Sequence, residues 1–222
     1  SDYIKIMKLQ KNRKTKPIVV YVDQEKKTFA GGDENLLQLS RAVIGEDEVN
    51  SVYLIGEKFS RDWMKESLRR RAFQGNNLYS KGACHCLMER LFPSQAGKEH
   101  IFLGEDKLKS NIGMFVLKRG EESYFAILDA GVDWRDISFE CEIYLQDNNV
   151  LELVVTPMIE GKVRIEEIPL DGLYLKKNEV TRIFMHFTMR QENIVCVDIE
   201  DLGFGVFREP VETKWKREIT LD

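Results

Sequence analysis

Ile137-Ser-Phe-Glu-Cys-Glu-Ile-Tyr-Leu145 alternates without a break, with apolar Ile137, Phe139, Cys141, Ile143 and Leu145 set against polar Ser138, Glu140 and Glu142. Successive side chains of a strand point to opposite faces, so a period of two predicts a strand with one dry side and one wet side. The same signature recurs on both flanks. Residues 112–117 and 124–128 read as a hairpin across the polar stretch 118–123, and Asp147-Asn-Asn149 is a turn into an apolar run at 150–156. Residues 163–168 stop at Pro169-Leu-Asp-Gly172. Ile183, Met185, Phe187 and Met189 alternate next, then Val195, Val197 and Ile199, and finally Trp215, Arg217, Ile219 and Leu221. About eight short strands separated by turns predict an all-β sandwich from residue 98 onward.

Upstream the period is helical. Asp33 is a good N-cap, Leu36, Leu37, Ser40, Val43 and Ile44 share a face, and Gly45 supplies a stop. Val52-Tyr-Leu-Ile-Gly56 reads as a short buried strand ending in a turn, with a loop and an amphipathic helix over 57–71, a loop over 72–77 and a second helix over 78–91. Gly82 inside that second helix is explained most simply by something approaching its backbone closely. Before Asp33, residues 18–22 form a β-branched strand and 28–30 a returning one across the polar turn 23–27. Residues 1–16 read as a solvated basic lead-in. Pro93-Ser-Gln-Ala-Gly97 breaks the helical pattern. The expected fold class is therefore α+β with two domains: a small α/β lobe over 1–97, then the sandwich over 98–222.

Charge divides at the same place. The chain has a net charge of −4, with 17 Lys and Arg against 12 Asp and Glu up to Gly97, and 16 against 25 beyond it. An acidic second half argues against a nucleic-acid surface there. No apolar run approaches the roughly 18 residues of a membrane span, and no leader pattern is present, so neither nucleic acid nor membrane is an expected partner. Four scattered cysteines, Cys84, Cys86, Cys141 and Cys196, do not make a disulfide framework and point to a reducing cytoplasm. Cys84 and Cys86 are two apart on a helix and diverge by about 200°, so they do not chelate one metal. The acidic stretch Glu46-Asp-Glu48 is a charged loop. Nucleophile elbows, phosphate-loop lysines and paired zinc histidines are all absent, and His85, His100 and His186 stand alone. Ser1 in place of Met raises the expectation of a C-terminal piece of a longer protein.

Val52-Tyr-Leu-Ile-Gly56 and Leu78-Tyr-Ser-Lys-Gly-Ala83, in that order, resemble the end of the nucleotide-binding domain of the heat-shock protein 70 chaperones, within the actin-like ATPase superfamily. The later strands are similar to the peptide-binding β-sandwich of those chaperones, with residues 173–189 as its long strand and 191–197 as its tight turn and next strand. The resemblance implies a small ribonuclease H-like, actin-like partial lobe with an adenosine side at Gly56, Glu57, Arg61 and Asn76. The family's Gly-Gly turn is Gly56-Glu57 here, Arg61 is displaced by one position, and Asn76 stands where an acid is usual. No cofactor is expected in this chain by itself; ATP belongs to a longer parent. The resemblance implies a chaperone-related module that captures an extended peptide or protein segment by β-augmentation or in a groove. Loops at 129–136 and 147–150 would form its rim. The alternative is a structural or assembly module that binds neither nucleotide nor peptide.

Overall fold

The computed structural model describes residues 2–45, 51–56, 59, 72–75 and 77–221. Strand accounts for 51% and helix for 18% of what is described. The strands form a three-stranded sheet, two four-stranded sheets and a two-stranded pair. This overturns the α+β expectation of a small actin-like lobe followed by a sandwich. The N-terminal residues are the main physical reason. Asp2–Asn12 (β1) and Ile18–Phe29 (β2) are long strands, not a solvated lead-in and two short pieces around a turn. Tyr3, Lys5, Met7 and Leu9 are exposed on β1 while Ile4, Ile6 and Lys8 are half-buried, so the period of two is present but lysines interrupt it on both faces. Ile18 to Tyr21 of β2 pair in parallel with His100–Leu103 (β5), so one sheet draws strands from both sides of residue 97.

The chain divides into two compact units. The first holds residues 1–9 and 22–98. Helix α1, Asp33–Gly45, opens with Asp33 and Glu34, whose charges suit a helix N-terminus. Val52–Leu54 (β3) pairs in parallel with Ala72–Gln74 (β4), a strand inside the stretch expected to be loop. Leu36 and Leu54 are the buried centre of a small cluster with Ile4, Phe29, Ile44, Val52 and Phe59. Leu78–Leu91 (α2) is the second helix, followed by the short helix Gln95–Glu99 (α3). None of the α2 side chains is buried, and a Cβ at Gly82 would meet nothing within 4 Å, so close approach does not explain that glycine.

The second unit holds residues 10–21 and 99–222. Its first four-stranded sheet runs in the order β10-β9-β6-β7, from Arg164–Pro169 (β10), Val150–Pro157 (β9), Ser110–Lys118 (β6) and Glu121–Leu128 (β7). The second runs β13-β12-β11-β8, from Lys214–Thr220 (β13), Ile194–Asp201 (β12), Val180–Gln191 (β11) and Ser138–Gln146 (β8). All neighbours within these sheets are antiparallel. Between β6 and β7 the two-residue turn Arg119-Gly120 has φ of 58° and 86°, the left-handed pair a tight hairpin requires.

Both sheets contribute to one hydrophobic core. Ile112 and Met114 on β6 and Leu151, Leu153 and Val155 on β9 face Ile183, Met185 and Phe187 on β11 and Val195, Val197 and Ile199 on β12. Burying each such side chain is worth roughly 1.5–3 kcal/mol, and this core far exceeds the cluster of the first unit.

Candidate functional site

The core is closed along one side and open along the other. On the closed side, Arg164 of β10 donates to the Thr220 carbonyl of β13, and Trp215 Nε1 donates to the Asp171 carbonyl at 3.0 Å. Trp215 and Ile219, the inward residues of β13, are 6% and 4% exposed. Since β10 meets β13 there, the strand orders leave β7 and β8 at the other side. The inward residues of β8 are the apolar half of the alternating stretch, and Phe139, Cys141, Ile143 and Leu145 are only partly buried. Val116 and Phe125 of the facing sheet are partly buried in the same way. On the inner strand β11, their partners Phe187, Met185 and Ile183 are at 0%. The result is an apolar mouth beside a free edge.

That edge is long and regular. β8 pairs with β11 from Gln146↔Val180 to Ser138↔Thr188 without a register shift. In an antiparallel pair alternate residues turn their N–H and C=O groups away from the partner strand. Among the described residues no backbone hydrogen bond outside the β11 ladder reaches Ser138–Gln146. Natural sheets blunt their edges with lysines, prolines, bulges or short strands. β13 carries Lys214, Lys216 and Arg217, and the six-residue β10 ends in Pro169. β7 meets its neighbour across a bulge at Ile112/Gly113. β8 has none of these defences.

The burial of Cys141 has a chemical consequence. It pushes the thiol up to about 11, so the sulfur at the mouth is a neutral, weakly polar group at physiological pH.

One end of β8 is built out by a pinned loop. The parity that turns Val197 and Ile199 inward also turns Asp201 inward, where its side chain is fully buried. Asp201 Oδ1 accepts from the Thr181 hydroxyl and from Gly203 N at 3.0 Å. Oδ2 accepts from Arg208 Nη1 at 2.6 Å and Val211 N at 2.9 Å. Burial opposes ionisation, but these donors outweigh it and hold the carboxyl below its usual range. The loop between β12 and β13 is thereby tied at both ends. It presents Phe204 against Tyr144 of β8, with ring centroids 6.0 Å apart, and Phe207 against Phe204 at 6.1 Å. Tyr144, Val206 and Phe207 stay largely exposed.

The residues singled out for adenosine fare differently. Gly56 follows β3, is exposed, and has φ of 113° with open space where a Cβ would stand. Glu57, Arg61 and Asn76 lie outside the described residues. The two loops expected to form a groove rim sit at the ends of β8: residues 129–136 precede it, with Trp134–Asp136 as a 3-10 turn, and 147–150 follow it, Val150 being the first residue of β9. Sequence reading missed the strand between them as a site, because its alternation was already explained by core packing. It also passed over Gly203-Phe-Gly-Val-Phe207, although two glycines alternating with large apolar residues are an unusual composition for a solvated loop. Among the described residues no three His, Cys, Asp or Glu side chains gather where a metal ion could sit.

Residues 107–221, more than half of the chain, match the model of a domain of unknown function, DUF8552. The chain belongs to that family. The DUF8552 match takes in every strand from β6 to β13, and so both faces of the large core and the whole of β8. Residues 1–105 match the C-terminal part of a second family of unknown function, DUF5716. Neither is a heat-shock protein 70 or actin-like ATPase family. No curated protein matches the chain.

Proposed function

We propose that this chain is a protein-binding module that takes an extended peptide segment as an added strand at β8. One observation carries the reading: an undefended nine-residue edge lies directly beside apolar side chains that the core leaves partly open. Main-chain hydrogen bonds to β8 would supply affinity without regard to sequence. Alternate apolar side chains, seated over Phe139, Cys141, Ile143 and Leu145, would supply preference. The exposed rings of Tyr144, Phe204 and Phe207 extend the surface past the strand end, and aromatic anchors of this kind dominate binding energy at interfaces. No helix among the described residues is long and apolar enough to cross a membrane. Four free cysteines suit a reducing, cytoplasmic setting.

The test is a fluorescence-anisotropy titration of the full chain into labelled peptides of eight to ten residues with apolar side chains at alternate positions. Saturable binding at micromolar concentration, about −8 kcal/mol, is the expected result. A flat titration across the set removes the reading.

A second reading, an assembly module that packs on a neighbour, has its own observation. Phe115, Leu117, Tyr124 and Ile165 are exposed on the outward face of the β10-β9-β6-β7 sheet, more apolar surface than a wet sheet face ordinarily shows. Light scattering separates the two: a concentration-dependent rise in mass favours assembly, and a monomer that binds peptide favours capture.

A further inference from the structure

Resting on the capture of a strand at β8, we infer that the captured segment is basic: apolar on the side facing the core, with lysine or arginine on the side facing water. The outer face of the β13-β12-β11-β8 sheet is laid out in columns of charge. Lys214 and Lys216 on β13 stand opposite Glu200 and Asp198 on β12, and their ammonium groups reach those carboxylates at 2.5 and 3.1 Å. Inward of them β11 turns out Arg182, Phe184 and His186, and β8 turns out Glu142 and Glu140 opposite Phe184 and His186. Thus the acidic column on β12 has a basic column beside it, and the acidic column on β8 has an empty place.

The acids of β8 are poorly satisfied by their own sheet. Arg182 Nε lies 3.5 Å from Glu142 with both side chains about half exposed, which is a weak surface pair. His186 faces Glu140 across the ladder, but its ring nitrogen is engaged with the Ser138 hydroxyl at 3.0 Å. Among the described residues Glu140 has no ion-pair partner. β8 itself contains no lysine or arginine. A strand added to β8 places its water-facing side chains about 5 Å from those of Glu140 and Glu142, close enough for opposite charges to help and like charges to hinder. An acidic segment would meet like charge along β8. A basic one completes the column.

The experiment uses the full chain and three labelled peptides of equal length, alternating valine with lysine, with glutamine or with glutamate. The expected order of affinity is lysine over glutamine over glutamate, with the lysine peptide binding at least tenfold tighter than the glutamate one. That advantage should shrink as salt rises from about 20 to 300 mM, because exposed charges are screened over that range. The double variant E140K/E142K alters two exposed side chains, and far-ultraviolet circular dichroism verifies its fold. It should reverse the order. Equal binding of the glutamine and lysine peptides, or a variant that still prefers lysine, overturns the basic preference and leaves strand capture standing. No saturable binding by any of the three removes both.

Discussion

Arg208 Nη1 lies 2.6 Å from Asp201 Oδ2, and the Asp201 carboxylate is shut off from solvent while the arginine is 9% exposed. Breaking a buried pair by removing one partner strands a charge in a medium that solvates it poorly, at a cost of about 3–5 kcal/mol. Asp201→Asn should therefore destabilise the chain by roughly that amount, read as a lower urea midpoint with an unchanged slope. A shift under 1 kcal/mol would mean that water reaches the site. The same geometry fixes the pH sense. The folded pKa of Asp201 is depressed, so its contribution is complete above the unfolded value near 3.8 and is lost as pH falls through the lower folded value. Between pH 5 and 8 this pair should make stability no steeper.

Gly203 turns the chain out of β12 with φ of 65°, and a Cβ there would stand 2.4 Å from the Arg208 carbonyl oxygen. Phe204 N donates to that same oxygen at 2.8 Å, so the oxygen is not free to move aside. Gly203→Ala is expected to cost about 1–3 kcal/mol and to loosen the Phe204–Phe207 loop, visible as faster proteolysis between residues 202 and 213. An unchanged digestion pattern would show that the turn accommodates a side chain.

Cys141 should alkylate slowly. Burial pushes its thiol to about 11, whereas Cys84 and Cys86 are exposed. With iodoacetamide at pH 8, mass-mapped labelling is expected at Cys84 and Cys86 well before Cys141. A bound peptide should slow Cys141 further, and equal rates at all three would contradict the half-buried mouth. In this case the folded pKa is raised. The associated stability is whole below the unfolded value near 9 and declines as pH rises towards 11, and the difference between wild type and Cys141→Ala isolates it.

Ile143→Lys places a charge on the inward side of the β8 edge, the device by which natural edges reject further strands. Ile143 is partly buried at the mouth, so the lysine can reach water along the open side and the fold is expected to survive. Peptide affinity should fall by tenfold or more while circular dichroism is unchanged. Undiminished binding would place the captured segment elsewhere. Phe187→Ala is the contrast: Phe187 is at 0% exposure beside Phe139, with ring centroids 6.5 Å apart, and its loss should cost about 3–5 kcal/mol in stability.

The strands of the second unit were legible because alternation there follows burial closely. Ile183, Met185 and Phe187 all sit at 0%, and the strand over 137–145 differs from β8 by one residue at each end. β1 was not legible. Its two faces mix Ile4, Ile6 and Lys8 with Tyr3, Lys5 and Met7, so no face is uniformly dry and its basic residues read as solvated tail. β4 spans only Ala72–Gln74, too short for any periodicity to register. The resemblance places residues 173–179 in a long strand, but β11 begins at Val180; Leu173 is buried in an irregular segment, and its amide donates to the Leu170 carbonyl. The candidate site was half legible. The resemblance names the loops at either end of β8 by their position. That β8 is an edge could not, because strand order depends on which distant segments pair.

The lysines and arginine of β13, with the tie from Arg164 to Thr220, give the two flanks of the large core different fates. A strand seated on β8 offers the next comer its own outer rim, but the far flank offers no matching place to dock. Copies of this fold therefore cannot propagate tail to head through that pair of flanks. A segment taken up at β8, as proposed, would therefore not draw a second copy of the chain in behind it by that route.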